Sequence, residues 1–65
     1  MRAIPVDVYD KDGNMIKIEV NDVSGNHIVD FVWDEHDEQT SEKRQEFREW
    51  AYKFLRDNKG YEVAK

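Results

Sequence analysis

Three stretches of period-two alternation, separated by glycine-containing polar turns, precede one long stretch of period 3.6. A chain so ordered has few ways to bury its apolar residues. Residues 2–9 alternate, with Ile4, Val6 and Val8 on one face and Ala3, Pro5, Asp7 and Tyr9 on the other. Pro5 cannot donate to a ladder and marks an edge at that point. Asp10-Lys11-Asp12-Gly13-Asn14 is turn chemistry, and residues 15–20 alternate again with Ile16, Ile18 and Val20 inward. After a second turn cluster over 21–26, residues 27–34 read as a third strand. Val29, Phe31 and Trp33 share its inner face, while Asp30 and Asp34 keep Ile28 and Val32 on the wet one.

Thr40 or Ser41 can cap a helix over 41–58. Phe47, Trp50, Ala51, Phe54 and Leu55 form its apolar stripe, and Gly60 suits the left-handed position past its end. The predicted fold class is α+β. A three-stranded antiparallel sheet in β-β-β-α order carries the helix on one face, and 61–63 is either a short fourth strand or a tail that packs back. The expected core is Ile4, Val6, Val8, Ile16, Ile18, Val20, Val29, Phe31 and Trp33 from the sheet, with the helical stripe against them. The open face is expected to carry Ala3, Pro5, Tyr9, Met15, Ile28 and Val32 among Asp7, Lys17, Glu19 and Asp30.

Residues 1–65 are read as one small domain, because a chain this short supports one core and only a modest net stability. It has no cysteine, hence no disulfide or thiolate metal site, which fits a reducing compartment. The first residues lack the apolar run of a signal peptide, and no segment is long and apolar enough to cross a membrane. The expected location is the cytoplasm.

Charge is strongly polarised. From Ile18 to Glu42 there are eight acids and no lysine or arginine; the remainder holds all ten lysines and arginines and seven acids. Such a surface favours a cationic partner. The leading reading is a small acidic module that docks on a basic protein and does no chemistry. Asp30, Asp34, Glu35, Asp37 and Glu38 would supply charge, with Ile28 and Val32 as apolar anchors. Inhibitors that present carboxylates to the basic groove of a nucleic-acid enzyme share this character, and a viral or mobile-element origin suits that role.

Two alternatives stand beside it. Arg48, Tyr52, Arg56 and Lys59 share one helix flank and offer bases with an interleaved aromatic to a nucleic-acid backbone, although Glu46, Glu49 and Asp57 lie beside them. A structural homodimer could instead pair open sheet faces or edge strands.

Neither catalysis nor a cofactor is expected, since the hydroxyls sit in turns or caps and the chain offers little volume for a pocket. Asp10 to Asn14 opens like a calcium loop, but Met15 stands where that loop needs glycine and Asn21 where it needs an acid. Asp34-Glu35-His36-Asp37-Glu38 holds metal-binding residue types, yet consecutive residues of one loop rarely converge on one ion, so no metal site is expected. The layout is similar to that of integrase arm-binding and plant AP2-type DNA-binding domains. Those lay the sheet in the major groove and need bases on the strands. Here Arg2, Lys11 and Lys17 face Asp7, Asp10, Asp12, Glu19 and Asp30, and no motif is shared.

Overall fold

A computed structural model describes residues 1–63. Strands β1 (Arg2–Tyr9), β2 (Met15–Asp22) and β3 (His27–Val32) are followed by helix α1 (Ser41–Lys59) and strand β4 (Glu62–Val63). The fold is α+β: the first three strands are antiparallel, the sheet order is β3-β2-β1-β4, and β4 runs parallel to β1. Of the two readings of 61–63, the fourth strand is the one realised. Among the described residues β4 pairs with Arg2 and Ala3 and stops short of Pro5, which has no N–H to offer a ladder.

Both hairpin turns use one device, Asp-x-x-Gly-Asn. Asp10 Oδ1 accepts the Asp12 and Asn14 N–H groups, and Asp22 Oδ1 accepts those of Ser24 and Asn26, all at 2.9 Å. Gly13 and Gly25 follow at φ 83° and 86°, a region where a Cβ is strained. The Thr40 side chain accepts the Lys43 N–H at 3.0 Å and starts α1. At the other end Gly60, at φ 69°, turns the chain back, and Tyr61 N–H donates to the Leu55 carbonyl at 3.1 Å. That reversal delivers β4 to β1.

The core comprises Ala3, Met15, Ile18, Val20, Phe31, Trp33, Ala51 and Leu55, with Ile28, Val29, Phe47 and Phe54 packed half-buried around it. Four expectations are corrected by it.

First, β1 presents the opposite face. Pairing Pro5 with Val20 and Asp7 with Ile18 sets Ala3, Pro5 and Asp7 on the helix side, and leaves Ile4 and Val6 exposed and Val8 half-buried on the other. The cause lies in the helix. Its apolar stripe lies over β2 and β3, while its polar flank lies over β1, where Arg48 Nε donates to Asp7 Oδ2 at 2.7 Å. An aspartate is therefore the better inward residue there.

Second, Val8 pairs with Lys17 and Tyr9 with Met15, so Ile16 is an extra residue in β2. This bulge reverses two assignments: Met15 is 1% exposed and Ile16 44%.

Third, Val20 pairs with Val29 and Asn21 with His27, which makes Ile28 a second extra residue. Ile28 packs on the core instead of anchoring the open face.

Fourth, Trp50 is 56% exposed. It reaches past β3, an edge strand with no neighbour to cover the indole. One side of the ring still rests edge-on against Phe31, with centroids 5.3 Å apart.

Candidate functional site

Of the residues expected to bind a partner, the structure gathers three around one cleft and scatters the rest. Beyond β3, Trp33 is buried, its N–H donating to the Ile16 carbonyl at 2.9 Å and its indole N–H to the Asp37 carbonyl at 3.4 Å. Six residues on, the Gln39 amide acts as a surrogate strand. Its Oε1 accepts the Met15 N–H at 3.0 Å and its Nε2 donates to the Met15 carbonyl at 2.9 Å. Arg44 Nη1 donates to the Gln39 carbonyl at 2.6 Å. The acidic loop is thus pinned at both ends onto the β2 bulge. Between the pins, Asp34, Glu35, His36, Asp37 and Glu38 are all exposed.

Pinning the loop there creates a cleft of about 410 Å³ between it and the β1–β2 turn. Met15, Ile16, Val32 and Trp33 supply its apolar lining; Asp10 stands on the turn side, Glu35 and Asp37 on the loop side. Among the described residues no lysine, arginine or histidine lines it. Glu35, Asp37 and Val32 belong to the expected partner-binding set; Asp34 and Glu38 lie in the same loop outside the lining. Asp10, Ile16 and Gln39 line the cleft as well, and sequence reasoning did not place them in a candidate site. Asp10 carried a signal as an acidic turn residue, but nothing local placed that turn beside the distant loop.

Asp30 lies apart, on the open sheet face. There the cross-strand row is Val6, Glu19, Asp30, beside Val8, Lys17, Val32. Lys17 Nζ is 3.5 Å from Asp30 Oδ2, and His27 Nε2 is 3.0 Å from Oδ1. The His27 hydrogen bond, helped by the Lys17 charge, holds the Asp30 carboxyl below the ordinary carboxylate range. Glu19, His27 and Asp30 bring potential metal ligands within 4.8 Å of one another, but Lys17 already supplies a cation to that group.

The basic helix flank is partly committed. Arg48 donates to Asp7 and, at 3.0 Å, to the Tyr9 hydroxyl, contacts that raise its pKa. Burial pushes the Tyr52 hydroxyl up. Arg48, Tyr52 and Arg56 share a second cleft with Gln45 and Glu49; Lys59 is outside its lining.

The same hydrogen bonds that shape the turns favour the charged form of two aspartates. Backbone N–H donors, Asn14 foremost for Asp10 and Asn26 foremost for Asp22, hold both carboxyls below their usual 3.8. A depressed folded value contributes stability above the unfolded pKa and loses it as pH falls through the folded one. The melting temperature should therefore drop as pH passes below 3.8. A double Asp10→Asn, Asp22→Asn variant retains an acceptor oxygen and should show a shallower drop in a pH series of thermal melts. An equal drop in both proteins would assign the acid response elsewhere.

The chain has been compared with protein-family models, curated proteins and solved structures, and it matches none of them. Among the described residues no helix is long and apolar enough to cross a membrane.

Proposed function

We propose that this protein is a small acidic binding module that docks on a basic protein surface through the loop 34–38 and the cleft beneath it, and performs no chemistry itself. One observation carries the reading: carboxylates from two distant chain segments line one cleft together with apolar side chains, and among the described residues no cation lines it. Charges on the rim raise the association rate and reject acidic partners. Ile16 and Val32, 44% and 74% exposed, supply apolar contact area. Asp30 contributes less to docking than expected, because the Lys17 ammonium lies against one of its oxygens and the His27 ring occupies the other. Nucleic acid is a poor partner for a chain of net charge −5 whose Arg48 is spent on Asp7.

The test is a crosslinked pull-down with the wild type and with Asp34, Glu35, Asp37 and Glu38 all changed to lysine. These four are exposed, so the fold should persist. Partners captured by the wild type should be lost by the variant. Retention of every partner would move attention to Ile4, Val6 and Val32 on the open sheet face, where sedimentation across a concentration series detects self-association. Retardation of nucleic acid at physiological salt, abolished by Arg48→Ala with Arg56→Ala, would favour the helix flank instead.

A further inference from the structure

We propose that the cleft between the β1–β2 turn and the loop 34–38 takes a single arginine side chain from the partner. This rests on the acidic-docking reading and gives that site its anchor. Ile16 and Val32 offer aliphatic surface along which an arginine stem can lie, above buried Met15 and Trp33. Asp10, Glu35 and Asp37 surround the charged end.

Their spread selects the cation. Among the described residues only Glu19, His27 and Asp30 bring three potential ligands within 4.8 Å of one another, so Asp10, Glu35 and Asp37 do not converge as a set of three on one small ion. A lysine ammonium is likewise a compact, strongly hydrated point charge. A guanidinium carries five donors in a rigid plane, is weakly hydrated, and can address carboxylates on both walls. The walls are fixed before binding. Asp10 Oδ1 is held by two turn amides. The Gln39 bridge to Met15 holds the loop side. Little ordering is then left for the encounter.

An ¹⁵N NMR titration tests this, using a short blocked peptide with one arginine between apolar residues and the same peptide with lysine or citrulline in its place. The arginine peptide should shift the Met15, Ile16 and Val32 amides and the Trp33 indole. It should bind about three- to tenfold more tightly than the lysine peptide, the margin of bidentate over point-charge pairing. Citrulline should give no saturable shift. Asp10→Asn with Asp37→Asn should weaken the arginine peptide about tenfold while leaving the spectrum folded. Ile16→Lys, which sets a resident cation in the cleft, should block it. Equal affinity for arginine and lysine, or shifts confined to residues 34, 36 and 38, would overturn the arginine site and leave general acidic docking standing. Absence of any saturable shift would overturn it too. Retention of all partners by the four-lysine variant would fail the docking reading itself, whatever the peptides do.

Discussion

Phe31→Ala is expected to remove most of the protein's stability. Phe31 is 6% exposed and is the hub of the aromatic layer, edge-on to Trp50 at 5.3 Å and to Phe54 at 5.6 Å. Truncating a buried phenylalanine costs about 3–5 kcal/mol through lost transfer energy and the cavity left behind. At roughly 0.05–0.15 kcal/mol per residue, the whole domain is worth only about 3–10 kcal/mol. No disulfide restrains the unfolded chain. Trp50→Ala is the control: it removes a larger side chain from the same cluster, but one already more than half exposed. Urea melts should show the Phe31 variant unfolded at the lowest denaturant concentrations and the Trp50 variant still cooperative. The reverse order would mean that the helix is rotated about its axis relative to the sheet.

Met15→Lys and Ile16→Lys should differ sharply, although the residues are adjacent and both apolar. Met15 is 1% exposed, and a lysine there would bury an unpaired ammonium at a cost of several kcal/mol. Ile16 is the extra residue of the bulge and is 44% exposed, so its substitution should stay within about 0.5 kcal/mol. Strict alternation from Ile18 predicts the opposite, an inward Ile16 and an outward Met15. Circular dichroism melts of the two variants decide between a bulged and a regular β2. A stable Met15→Lys protein would remove the bulge and with it the cleft, since Gln39 is pinned through Met15.

The elements themselves were legible in the sequence. Period two against period 3.6, the Thr40 cap and Gly60 place three strands and the helix within a residue or two, because these are local preferences. The faces of the strands were less so. In β1 the run Ile4, Val6, Val8 points to the core by composition, yet its orientation is set by pairing with β2 and by the Asp7–Arg48 contact across 41 residues. The bulges at Ile16 and Ile28 leave no local mark, since each is one extra aliphatic in an otherwise alternating strand. Both turns share the pattern Asp-x-x-Gly-Asn, a regularity visible in the sequence once its hydrogen bonding is understood. A third of the cleft lining was legible: Glu35, Asp37 and Val32 stood out through charge and exposure, whereas Asp10, Ile16 and Gln39 join them only through tertiary pairing.

The central claim is that opposed carboxylates steer a basic protein onto this cleft. The most direct measurement is the association rate of a partner captured by the wild type, followed across ionic strength for the wild type and the four-lysine variant. Screening of an acidic surface meeting a basic one should make the wild-type rate fall steeply as salt rises, with about a tenfold or greater loss between low and physiological salt. The variant should associate far more slowly at low salt. A wild-type rate that is flat with salt, or equal for the two proteins, would contradict the account.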